Sequence, residues 1–380
     1  MEMSERRGTV RRILGNLRSG PNTVGNSRAF WTAFGIGAIV LLLQPLFRTS
    51  YAASQFAIFL VFGLLALSLS LVWGYTGVLS FAQMAFLGIG AYAYAIVSLN
   101  MSELYSLEPA TASTIALPAA ILAAGGSAFL LGYFMFYGEV RDVYVAILTL
   151  VVALVLKTFM DQTAGAEWTI GEVPLGGFNG IPGVRNFYIG VGELGIGIEF
   201  ASDLFYWLVF AVLLVTYLGL RALVNGRIGY VLVAVREDQD RTEMLGYDVR
   251  KAKLGVFTFA GALAGLAGVF YVTWGNYVSP DRFTLVSATL PVIWLSFGGR
   301  ESLLGAVVGA VTIEWLRNWF SVNAPEFAIV FVGTILLVTI LILPSGIVPA
   351  LRDIILTVRA LLTDDVADRE DSRAGEVMQE

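Results

Sequence analysis

Residues 49–102, TSYAASQFAIFLVFGLLALSLSLVWGYTGVLSFAQMAFLGIGAYAYAIVSLNMS, decide the fold: 54 consecutive positions carry no Asp, Glu, Lys or Arg. Residues 109–138 add 30 more uncharged positions, and 254–280 another 27. A water-soluble domain does not expose that much uncharged surface, and it seldom buries several such runs in succession. The solvent that fits this chain is a bilayer.

Apolar runs mark spans at 29–47, 51–72, 77–98, 113–136 and 142–160. Five more follow at 204–220, 254–273, 285–299, 302–320 and 327–348. Each is near the ~20 residues a helix needs to cross the hydrocarbon core. The expected fold is an all-α polytopic membrane bundle of about ten spans, with eight to ten open. Trp73-Gly74-Tyr75-Thr76-Gly77 breaks the run before 77–98, and Pro291 lies inside 285–299. Both segments are therefore full spans or broken elements buried against other helices.

Charge supplies direction. Residues 1–28 hold six Arg and two acidic residues, and 221–253 hold seven basic and five acidic. Both belong in the cytoplasm. Residues 161–203 hold one Arg and six acidic residues and belong outside. Five spans before that loop and one after it satisfy all three placements, and four more return the C-terminus to the cytoplasm. The expected organisation is a basic N-terminal segment 1–28, a membrane domain 29–351 and an acidic tail 352–380. The location is the cytoplasmic (inner) cell membrane.

Composition excludes several chemistries. The net charge of −5 and the absence of a basic domain argue against nucleic acid as a partner. There is no Cys and no His, which removes disulfides, cysteine or histidine metal sites, His-based triads and His proton relays. No cofactor or metal is expected, and no catalytic residue. The 19-residue run from Ala29 leads into more apolar sequence and reads as a first span, not a cleaved signal.

Four groups of residues invite functional readings. Gln83 lies six residues past the Trp73–Gly77 break, with Tyr75 and Thr76 in the break itself. An amide in a bundle either bonds to a neighbour or lines a wet cavity, and broken helices expose backbone polar groups to small substrates. Tyr75, Thr76 and Gln83 are the candidate pathway residues. Leu175–Gly183 carries four glycines and a proline, so a turn-rich element is expected. Gly177, Asn179 and Gly180 there are candidates for an external gate or docking surface, against a plain connecting loop. Arg227–Tyr247 mixes charge with Leu232, Val235, Met244 and Leu245. A short amphipathic helix, or two helical turns flanking a bend, fits, with Gly246 as C-cap. The choice is between a solvated loop and a lever that docks a cytoplasmic protein. Glu314 and Arg317, three apart, are placed to pair, with Trp315 and Trp319 as interfacial anchors; this group reads as structural. The glycines 261, 265, 268, 305 and 309 read as helix packing.

These segments together resemble a known family. Trp73–Ser80, followed by Phe81–Tyr92, matches the early break of the membrane permeases of branched-chain amino-acid and urea ABC importers. Arg236-Glu237-Asp238 through Leu245-Gly246-Tyr247 resembles their ATPase-coupling loop, and Gly177–Gly183 their external glycine-rich loop. Ile293–Arg300, Ser302–Ala306 and Leu343–Val348 are similar to the second, longer permease of urea importers. Ala82 and Glu301 stand where that family commonly has Gly. The resemblance spans about residues 50–350. It implies a heteromeric importer with a second, homologous permease, two cytoplasmic ATPases and an external solute-binding protein, embedded in lipid. The residues carried over for coupling are Arg236, Glu237, Asp238 and Gly246. No Gly-x-x-x-x-Gly-Lys-Ser/Thr loop occurs, so ATP hydrolysis would belong to the ATPase partners. The resemblance implies urea import by ATP-driven alternating access. Branched-chain amino acids or short amides are the alternative substrates. A secondary transporter, a urea channel and a purely structural membrane subunit are the competing classes.

Overall fold

Helices occupy all ten positions marked by the apolar runs in the computed structural model, which describes residues 20–21, 27–165, 167–190, 195–199, 202–342 and 345–354. Most of the basic segment 1–28, the tail beyond 354, and Leu343 and Pro344 lie outside the described residues. The helices are α1 (Arg28–Leu43), α2 (Ser50–Leu69), α3 (Gln83–Glu103), α4 (Pro109–Tyr137), α5 (Asp142–Asp161) and α6 (Asp203–Val224). Two short ones follow, α7 (Arg227–Glu237) and α8 (Gln239–Met244). The rest are α9 (Val249–Gly275), α10 (Leu285–Gly298), α11 (Leu303–Asn323) and α12 (Ala328–Ile342).

Among the described residues, seven helices are long and apolar enough to cross a membrane, and all seven precede residue 276. The chain is a multi-pass membrane protein. The expected ten spans thus divide into seven that pass on length and composition and three that do not. Helix α10 has only 14 residues, and α12 has 15. Glu314, Arg317 and two Asn residues dilute α11.

Side-chain oxygens set many of the helix starts. Ser27, Thr49, Ser202, Asp248, Thr284 and Ser302 each accept a backbone N–H three residues on, filling a donor the helix itself leaves open. Helix α2 has no polar face and is buried almost throughout, as expected of a central helix. It packs against α6, α9, α10 and α11, while α3, α4 and α9 form a second group of mutual neighbours. The glycines serve that packing. A Cβ on Gly90 of α3 would fall on the backbone of Gly265 in α9, and one on Gly309 of α11 would strike the Trp294 carbonyl of α10. With little apolar driving force in lipid, such backbone approach is what holds helices together.

Two ends of the bundle can be told apart by their contacts. One, the Arg236 end, gathers the end of α2, the α4–α5 turn, α7, α8 and the α10–α11 turn. The other, the Asn276 end, gathers the ends of α3 and α9 with the segment between α5 and α6. That segment adds small antiparallel strands to the helical fold: β1 (Thr169–Ile170) with β2 (Val173–Pro174), and β4 (Phe187–Ile189) with β5 (Ile196–Ile198). A third pair joins β3 (Ile181–Pro182) to β6 (Tyr277–Val278) just after α9, with Ile181 opposite Val278.

Candidate functional site

The break that ends α2 is a π-helical turn, Ser70–Gly74. Such turns widen a helix and leave backbone groups seeking other partners. Thr76 Oγ1 donates back to the Val72 carbonyl at 2.6 Å, and the Gly77 N–H donates to Trp73 at 3.2 Å. At Gly77, φ of +77° turns the chain, and residues 77–82 run without helical structure until α3 begins at Gln83.

Three distant segments meet at this break. The Arg236 guanidinium, at the end of α7, donates from Nη1 to the Gly74 carbonyl at 2.7 Å and pairs with Glu301 Oε1 at 3.3 Å. Its Nε and Nη2 grip Glu237 Oε1 at 3.0 and 2.7 Å. From the break, the Tyr75 hydroxyl donates to the Glu301 carbonyl and Ser70 Oγ to the Arg300 carbonyl, both at 3.4 Å. Gly74 packs directly on the Arg300 carbonyl, so no side chain fits there. Arg300 Nε lies 3.7 Å from Glu301 Oε1, and its guanidinium covers the Trp73 ring at 5.9 Å. The loop residue Arg236, the break and the α10–α11 turn are thus one connected unit. The expectation grouped Tyr75 and Thr76 with Gln83 on a pathway. The structure ties Tyr75 to the Glu301 carbonyl in this junction, while Thr76 bonds back to Val72 within the break.

Gln83 stands apart from them. It is fully buried, its Oε1 accepts from Ser68 at 3.0 Å, and its Nε2 has no partner. In the same unwound stretch the Phe81 N–H donates to Thr149 Oγ1 at 3.1 Å. An unpaired buried amide beside an unwound backbone is the arrangement that binds small polar molecules in broken-helix transporters.

The loop after α6 forms two helices flanking a bend at Asp238, which caps α8 by accepting the Arg241 N–H at 2.9 Å. Gly246, with φ of +87°, lies just past the C-cap Leu245. The four apolar positions divide. Leu232 and Val235 face the bundle, whereas Met244 and Leu245 are 86% and 71% exposed. A polar recess of about 420 Å³, bordered by Glu139, Arg141, Glu243 and Lys253, opens beside them. Asp248 caps α9, and the Lys251 N–H holds its carboxyl below the usual range.

At the opposite end, Gly177, Asn179 and Gly180 form a short 3-10 turn stitched to the end of α9. The Tyr277 hydroxyl donates to the Asn179 carbonyl at 2.6 Å, and Asn276 Nδ2 donates to the Val184 carbonyl at 2.7 Å. Gly177 and Gly180 have φ of +55° and +70°, conformations that glycine supplies without strain. Asn100 of α3 holds the β1–β2 hairpin, donating to Ile170 and accepting from the Glu172 N–H. Glu314 and Arg317 do pair, at 2.6 Å, and the Trp294 indole also donates to Glu314.

Sequence reasoning missed Glu301 as a partner of Arg236, as well as Asn100 and Trp294. The departure from Gly at 301 was the one available signal.

Residues 51–341 match the family described as branched-chain amino acid transport system, permease component. The high-affinity branched-chain amino acid transport system permease protein LivM of Escherichia coli is 27% identical over 335 residues, covering 84% of this chain and 75% of that one. The probable branched-chain amino acid transport permease protein LivH of Methanocaldococcus jannaschii is 25% identical, covering 75% of this chain and 87% of its own. The ribose import permease protein RbsC of Escherichia coli is 26% identical over 133 residues, covering 33% of this chain and 40% of that one. No solved structure matches.

Proposed function

Because this chain belongs to the family of branched-chain amino acid transport system permeases, a transport subunit and not itself a catalyst, we propose that it translocates a branched-chain amino acid in an ATP-driven importer. Its partners in this reading are a second permease, two ATPases at the Arg236 end and a solute-binding protein at the Asn276 end. The Arg236 end is cytoplasmic, as are both termini. The urea reading rests on the C-terminal motifs alone, while the named relatives favour the branched-chain alternative.

The observation that carries the proposal is the Arg236 junction. Exposed Met244 and Leu245 give an ATPase an apolar foothold on the loop. A displacement of α7 then pulls on Gly74 and Glu301 together, and so on α2, α10 and α11. A polar hinge linking rigid helices is a suitable two-state element for alternating access. Gln83 and the unwound 77–82 backbone are the part of the proposed pathway nearest that lever. Gly177, Asn179 and Gly180 belong to the face that receives the binding protein.

The test is reconstitution of the assembled importer with labelled L-leucine and labelled urea. The expected result is uphill leucine import that needs both ATP and the ATPases. Uphill import without ATPases would instead mean a secondary transporter, and equilibration without ATP would mean a channel.

A further inference from the structure

A second polar recess, of about 240 Å³, lies at the Asn276 end between α2, α9, α11 and the Pro280–Phe283 turn. Its charges do not balance. Glu314 is the carboxylate that lines it, and it is almost wholly buried. Arg317 donates to Glu314 Oε2 from Nε at 3.0 Å and from Nη2 at 2.6 Å. The Trp294 indole N–H donates to Oε1 at 3.2 Å. A second guanidinium, that of Arg282, lies 5.2 Å over the Tyr271 ring, and its Nε is buried with no partner. Two guanidiniums against one carboxylate leave a net positive charge at the recess, which an incoming anion offsets.

The recess has the groups an amino-acid zwitterion needs. Arg282 offers an unpaired N–H in the planar fork that matches a carboxylate. Glu314 Oε1, with one donor bound, has acceptor capacity left for an ammonium. Ile58, Phe59 and Phe62 line the apolar side. The volume is below the ~300–1,000 Å³ of drug-sized sites and suits a small metabolite. Urea has no carboxylate for Arg282.

We infer that this recess binds the zwitterion of an aliphatic α-amino acid, its carboxylate on Arg282 and its ammonium at Glu314. The inference rests on the reading of the chain as an amino-acid importer subunit and adds the residues that meet the substrate.

The experiment is equilibrium binding of labelled L-leucine to the assembled permease–ATPase complex without its solute-binding protein, alongside ATP-driven uptake by the complete importer. Arg282→Gln is expected to weaken leucine binding about ten- to a hundredfold, the range of a lost hydrogen bond to a charged group. Arg282→Lys recovers part of the loss. L-Leucinamide, which lacks the carboxylate, binds weakly and to the same extent with or without Arg282. Gln55→Phe fills the recess while leaving its charges in place, and reduces leucine binding independently. Leucine binding unchanged in both Arg282→Gln and Gln55→Phe overturns the site, as does leucinamide competing as well as leucine. If the unaltered importer accumulates leucine in either of those cases, the importer reading survives and only the site is lost. If the unaltered importer accumulates none, that reading fails first and the site with it.

Discussion

The Arg236 Nη1 donates to the Gly74 carbonyl at 2.7 Å, joining residues 162 positions apart in the chain. The π-helical turn leaves that carbonyl without its ordinary helical partner, and a charged donor from the loop supplies one. In the proposed mechanism this bond is the point where a force applied to α7 enters the bundle.

Replacing Arg236 with Ala should reduce leucine import at least about tenfold while the complex still assembles, since a charge-assisted bond of ~1.5–3 kcal/mol is lost at the lever. Glu301→Gln should act more mildly. Its pairs with Arg236 and Arg300 are partly exposed, and such pairs are worth ~1 kcal/mol or less. Parallel uptake and ATPase assays check the order. Equal effects of the two changes would place the force elsewhere.

Gly74→Ala should destabilise the purified protein by ~1–3 kcal/mol, because the new methyl meets the Arg300 carbonyl with no room to yield. Gly126→Ala in α4 meets nothing within 4 Å and should be neutral or stabilising by ~0.5–1 kcal/mol. Thermal unfolding in detergent separates the two.

Much of this arrangement is legible in the sequence, and the remainder is not for physical reasons. Apolar runs mark all ten helix positions, because a bilayer penalises charge. Charge mixed with Leu232 and Val235 marks the two loop helices, and the glycines at 177 and 180 mark a turn. Local pattern carries no record of which distant segment a residue meets. Nothing near Glu301 in the chain announces Arg236, and nothing near Arg282 announces Glu314. Tyr75 and Thr76 look alike to Gln83 as polar groups near a break, yet only the helix geometry separates the two whose hydroxyls are bonded from the one left with an unpaired amide nitrogen.

Gln83→Leu removes that nitrogen. Loss of its one modest bond to Ser68 should cost only ~1 kcal/mol of stability, while leucine flux falls several-fold more than stability predicts. Uptake normalised to folded protein is the readout. Unchanged flux would make Gln83 a structural residue.

Asn100→Ala should loosen the β1–β2 hairpin by removing a donor to Ile170 and an acceptor from Glu172, a loss of ~1–3 kcal/mol. Faster hydrogen exchange at Glu172, with exchange in α9 unchanged, is the expected signature.

Lowering the pH should fray the start of α9. The Asp248 carboxyl titrates lower in the folded chain than unfolded, so its capping contribution is present above the unfolded value and is lost as pH falls through the folded one. The protection factor of the Lys251 amide, its exchange rate corrected for the intrinsic pH dependence, should therefore fall in acid, and Asp248→Asn should flatten that dependence.

The most direct measurement uses the absence of cysteine from this chain. A single cysteine at Leu245, exposed on the loop, is treated with a membrane-impermeant maleimide in intact cells and in inverted vesicles. The account predicts labelling only in inverted vesicles, and protection there when the ATPases are bound. Labelling in intact cells would contradict it, because the loop would then face away from any nucleotide-driven partner.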